Sequence, residues 1–135
     1  MANALYPIWK SGLLQATSNT ALTGTVKAAL VDTGTYTYSA AHDFYNDVSS
    51  AVVGTPQTIG TKTYTAGTFD GDNVTFTAVS GATCEAIVIY IDTGNAATSP
   101  LVAYLDTGVT GLPVTPNGGD IIVTWDNGVN KIFRV

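Results

Sequence analysis

The chain has little of what most chemistry requires. Among 135 residues it offers one cysteine, one histidine and five basic side chains. A single Cys84 excludes an intrachain disulfide framework and a thiolate metal cluster within one chain. Lying in the apolar run TCEAIVIYI, it reads as an inert buried thiol. His42 has no second histidine or cysteine with which to complete a transition-metal site. Charged residues make up 11% of the chain, against about 25% in ordinary domains. The net charge of −5 argues against nucleic acid, which needs clustered cations to replace counterions on phosphate. It argues equally against an anionic membrane surface. No apolar run approaches the ~20 residues that span a bilayer. The opening MANALYPIWKSGLLQA lacks a basic n-region and an unbroken apolar h-region, so it does not read as a secretion signal. The expectation is a chain made and folded in a cytoplasm.

What is abundant is threonine (22 residues), glycine (14) and tyrosine (7). Threonine and tyrosine favour half-buried strands, and glycine supplies the turns between them. The length fits one domain with a genuine core. In the first segment, Ala4–Ala16, residues Leu5, Ile8, Trp9, Leu13 and, less regularly, Leu14 recur at helical spacing, with Pro7 in the first turn where its missing N–H does no harm. Gly12 weakens that helix by roughly 1 kcal/mol relative to alanine. Residues 1–16 are therefore an arm or short helix. It packs on its own domain or docks Tyr6, Trp9 and Leu13 on a partner. A second helix is expected in YTYSAAHDFYNDVSSAVVG, with Ser39 as N-cap and Phe44, Val48 and Val52 on one face.

The rest reads as β. Thr25–Val31 is a strand, and from Thr55 polar and apolar residues alternate, most clearly at Val74, Phe76 and Ala78. Thr83–Ile91 is apolar throughout, as a central strand covered on both faces would be. Leu101–Leu105 follows, and GLPVTPNGG is a loop. Asn127-Gly128 is the dipeptide a type I′ turn wants, which predicts a hairpin between Ile121–Trp125 and Lys131–Val135. The prediction is all-β: an antiparallel β-sandwich of about 7–8 strands over residues 17–135, with one or two short helices near the N-terminus.

Asp-Thr-Gly occurs three times, in LVDTGTY, YIDTGNA and YLDTGVT, each after two apolar residues. An aspartic protease needs two such aspartates about 3 Å apart sharing a proton. Three copies at strand ends, in so short a chain, read instead as turns. Asp32, Asp92 and Asp106 would each accept the backbone N–H two residues on, with Gly at positive φ. DGDN at Asp70–Asn73 has calcium-like oxygens but continues into a strand rather than to a bidentate Glu. No G-x-S-x-G elbow accompanies His42. Tyr36, Tyr38, Tyr45 and Tyr64 are expected at the surface, where they could stack on sugar rings, and Tyr90, Tyr104 and Trp125 in the core. Nothing here assigns a catalytic, cofactor or metal residue.

TVKAALVDTGTYTYSAAHDFYNDV, VGTPQTI, VTFTAVSG, EAIVIYIDTG and LPVTPNGGDIIVTWDNGVNKIF, in that order, resemble a family of small virion proteins of tailed bacteriophages. The resemblance covers nearly the whole chain. It implies no enzyme and no cofactor. It implies a structural role, foremost as a capsid decoration, or cement, protein on the outside of the head. The partner would be the major capsid protein, and the protein itself a homo-oligomer, a trimer above all. A tail, neck or baseplate role and a sugar-binding sandwich are the alternatives.

Overall fold

The computed structural model describes residues 3–135 and is mostly β. Among the described residues nine strands form antiparallel pairs: β1 (Ala4–Leu5), β2 (Val26–Val31), β3 (Val52–Thr58), β4 (Thr68–Phe69), β5 (Val74–Phe76), β6 (Ala86–Ile91), β7 (Leu101–Leu105), β8 (Ile121–Val123) and β9 (Phe133–Arg134). One α-helix, α1 (Pro7–Gln15), lies between β1 and β2. The main sheet has the order β1-β7-β6-β2-β3, and two-stranded sheets pair β4 with β9 and β5 with β8. The result is an all-β, sandwich-like fold.

The main sheet is built on three apolar strands. Every residue of β6 and of β7 is buried, as is every residue of β2 except Lys27. Cross-strand partners share a face, so Leu30, Ile87 and Leu105 point to one side and Ala29, Val88 and Tyr104 to the other. The first side completes its core with Phe69, Val74, Phe76, Ile121, Val123, Trp125 and Phe133 of the small sheets and their flanks. The second side is covered by the long β2–β3 connection, whose Tyr38 packs on Tyr104 and whose Tyr45 stacks on Tyr90 at 4.2 Å and 14°. Two covered faces explain why these strands read as unbroken apolar runs.

Three expectations need correction. The first segment is divided: Ala4–Leu5 extends along β7, and the helix begins only at Pro7. The second helix does not form. Residues Tyr45–Asp47 and Ser49–Ala51 make single 3₁₀ turns. Phe44 is held extended in a bridge to Pro100, and the Tyr45 N–H donates to the Ser99 carbonyl, which no continuous helix would permit. The C-terminal hairpin is absent as well. β8 pairs with β5 and β9 with β4, because both find apolar partners far away in sequence. Between them Asp126 accepts the Gly128 N–H at 2.9 Å, and Lys131 N–H closes a second turn on the Gly128 carbonyl.

Candidate interaction surface

The three Asp-Thr-Gly turns do not meet. β2 and β7 both run antiparallel to β6, so Asp32 and Asp106 follow strand ends at one end of the sheet and Asp92 at the other. Two strand spacings, about 10 Å, separate the first pair, and roughly 20 Å of strand separates either from Asp92. Within the chain no two are close enough to share a proton. The carboxylates of Asp32 and Asp92 have local work. Asp32 accepts the Gly34 N–H at 2.8 Å and the Thr35 hydroxyl at 3.0 Å. Asp92 accepts the Gly94 N–H at 2.8 Å and pairs with Lys27 at 2.8 Å. The Lys27 contact and the Gly94 N–H hold the Asp92 carboxyl below its ordinary pKa. Gly94 and Gly108 take the expected positive φ. Gly34 does not, because a different side chain shapes that turn: Glu85 accepts both the N–H and the hydroxyl of Thr33, at 2.9 and 2.8 Å. At Asp106 the cap comes from Asn3, whose Oδ1 accepts the N–H groups of Asp106 and Thr107. The sequence gives no local sign of Glu85 or Asn3 in these roles, since their partners lie 52 and over 100 residues away.

The other constellations are equally occupied. Asp72 Oδ2 accepts the Thr61 hydroxyl, its carbonyl accepts the Trp125 indole N–H, and Asn73 Oδ1 accepts the Trp125 backbone N–H. Among the described residues, no three His, Cys, Asp or Glu side chains gather as a metal would need. Cys84 is fully buried. Burial, followed by the negative charges of Glu85 and Asp32, pushes its thiol up to about 11, which keeps it protonated and unreactive. The His42 ring meets the Tyr36 hydroxyl, and no serine hydroxyl bonds it among the described residues.

The aromatic side chains turn inward. Tyr6 is 0% exposed and Trp9 2%. Trp9 donates its indole N–H to the Thr20 carbonyl and packs edge-on against Phe133. Neither side chain is presented to a partner: both belong to the chain's own core, and Leu13 is half-buried against it. Two apolar side chains expected on the inner face of α1 point outward instead, beside Lys10, Ser11 and Gln15: Ile8 is 44% exposed and Leu14 90%. Tyr36, expected at the surface, is buried, and Tyr45 is half-buried on Tyr90, as is Tyr38 on Tyr6 and Tyr104. Tyr90, Tyr104 and Trp125 are core, as expected. Tyr64 is the one strongly exposed aromatic among the described residues, and its hydroxyl donates to the Leu22 carbonyl.

What the surface does offer is a groove of about 380 Å³ along the outer side of β1. Leu5, Leu105, Val109, Trp125 and Phe133 line it, together with Lys131 and Arg134, two of the chain's five basic residues. Because Tyr6 N–H bonds the Val102 carbonyl, the alternation of an antiparallel ladder turns the Leu5 peptide groups outward, toward this groove. Exposed Ile122, Val129 and Val135 add scattered apolar contact area elsewhere. The chain matches no protein-family model and no curated protein.

Proposed function

We propose that the chain is a structural protein of a tailed-phage virion and, within that class, a capsid decoration protein. It binds the assembled head through the major capsid protein and stabilises it. The observation that carries this reading is the ordered resemblance of the five quoted segments across nearly the whole chain. The local hydrogen bonds that engage Asp32, Asp92 and Asp72 and the burial of Cys84 fit it, since a cement protein performs no chemistry. Its effect is mass action: a ligand that binds the assembled shell and not its free subunits stabilises assembly. Many identical sites on a shell favour a symmetric oligomer, a trimer above all, because linked contacts raise overall affinity.

Within the first segment the contact passes from Tyr6 and Trp9 to Ile8 and Leu14, the side chains that point away from the core. Deleting residues 2–16 would remove the edge strand β1 and two core aromatics, so point substitution is the informative test. Leu14→Asp should weaken attachment to undecorated heads by at least about tenfold, the order of a hydrophobic contact worth 1–2 kcal/mol, while leaving the melting temperature unchanged. Undiminished attachment would exclude α1 from the interface. A tail or baseplate protein is the second reading. The sugar-binding reading loses support, because all four of its proposed tyrosines are packed against other rings and three of them are buried or half-buried.

A further inference from the structure

Tyr6 and Tyr36 are 0% and 4% exposed, so neither hydroxyl can turn to bulk water for a partner. The two oxygens lie 2.7 Å apart, and Tyr36 Oη lies 2.8 Å from His42 Nδ1. Two links therefore join three groups, and each link holds one proton. With the ring neutral and its proton on Nε2, Tyr6 donates to Tyr36 and Tyr36 donates to Nδ1. Both hydroxyl protons are then used. A second proton on the ring places an N–H at Nδ1 and upsets the count. Three protons compete for two links, so one buried O–H is left without an acceptor. Reversing the chain only moves the surplus to Tyr6, at its fully buried end.

We propose that this chain is a proton-sensitive latch. Neutral His42 clamps the first half of the β2–β3 connection onto Tyr6, between β1 and α1, and protonation of the ring releases it. The inference stands on the geometry and is independent of the virion reading. The groups around the ring come from three places. Tyr36, Tyr38, Asp43 and Asp47 belong to the connection itself, Tyr104 to β7, and Tyr6 to the N-terminal segment. Asp47 is the carboxylate that interacts with the ring. It is, however, exposed and accepts the N–H groups of Asp43 and Phe44 at 2.9 and 3.4 Å. Solvent screens it, whereas the orphaned hydroxyl would lie in a dry core, so the hydroxyl decides the outcome. Release stops at Phe44, where the bridge to Pro100 and the bond from Tyr45 N–H to Ser99 hold the rest of the connection to β7.

The test is amide hydrogen exchange of the full chain, corrected for intrinsic rates, between about pH 8 and about pH 5, the range in which imidazoles change charge. Wild-type protection over residues 36–43 should fall about tenfold or more on acidification, the order expected for one buried unsatisfied hydroxyl, while β6 keeps its protection. His42→Asn places an acceptor oxygen near Nδ1 that takes no proton, and its protection should not change with pH. Tyr36→Phe removes both links and should show low protection at both values. Acid-insensitive protection in the wild type, or equal loss in His42→Asn, would overturn the latch. Should His42→Asn fail to fold, nitrogen NMR of the wild-type ring decides: the Nε2–H tautomer at neutral pH is required, and the Nδ1–H tautomer refutes it.

Discussion

Trp9 separates two accounts of the N-terminal segment, because a core residue and an interface anchor respond differently to truncation. Buried against Phe133 and bonded to the Thr20 carbonyl, it should cost about 3–5 kcal/mol when replaced by alanine, seen as a shift in the urea midpoint of the isolated protein. An interface anchor would leave that midpoint in place. Gly12 belongs to the same contact: a Cβ there would lie 2.8 Å from both Thr17 Oγ1 and Thr20 Cγ2, so the residue that weakens the helix is the one that lets the following loop close on it. Tyr36 supplies a pH prediction. Burial comes first among the causes that push its hydroxyl up to about 12, whereas an unfolded tyrosine ionises near 10. The folded state thus holds its proton longer. Its stabilisation is complete below about pH 10 and is lost as pH rises toward about 12. Tyr36→Phe should flatten the fall in stability measured by denaturant titration across that window. An unchanged slope would place the ionising groups elsewhere, at Tyr6, Tyr45, Tyr90 or Tyr104, which burial also shifts upward.

Among elements, the link between β7 and β8 carries the tightest backbone approach. Gly111 has φ +111°, and a Cβ there would sit 2.6 Å from the Ile122 carbonyl oxygen. Gly111→Ala should therefore cost about 1–3 kcal/mol from backbone strain, with crowding added, against little effect for Gly118→Ala's open surroundings beyond its own positive φ. Thermal melts of the two variants make the comparison. The same part of the chain shows what sequence can and cannot convey. β2, β6 and β7 were legible because strands covered on both faces leave continuous apolar runs. The Asp32 and Asp92 turns were legible because their hydrogen bonds close within two residues. The Asn127-Gly128 hairpin was misread because local turn preference yields to partners for β8 and β9 some 45 to 65 residues upstream. Tyr6 and Trp9 were ambiguous for a different reason: an aromatic stripe on a short helix looks the same whether its core is its own or a partner's. The chain from Tyr6 through Tyr36 to His42 has no spacing signal at all, since its first link joins residues 30 positions apart.

At the scale of the whole molecule, an acidic, charge-poor sandwich with covered faces has its binding capacity at its rims and edges. The main sheet ends in a two-residue strand, β1, on one side. On the other is β3, interrupted by Gly54 at φ +73° and Pro56. Short or bulged edges of this kind resist open-ended strand pairing between copies, as the closed oligomer proposed above would require. The groove beside β1 and the outward residues of α1 are then the surfaces through which a shell could be gripped. The proposed role as a whole is tested most directly by mixing the purified, full-length protein with undecorated expanded heads and, separately, with tails, then measuring bound protein against concentration. Saturable binding to heads at a fixed number of copies, with little on tails, is the predicted result. Saturable binding to tails with none on heads would contradict it.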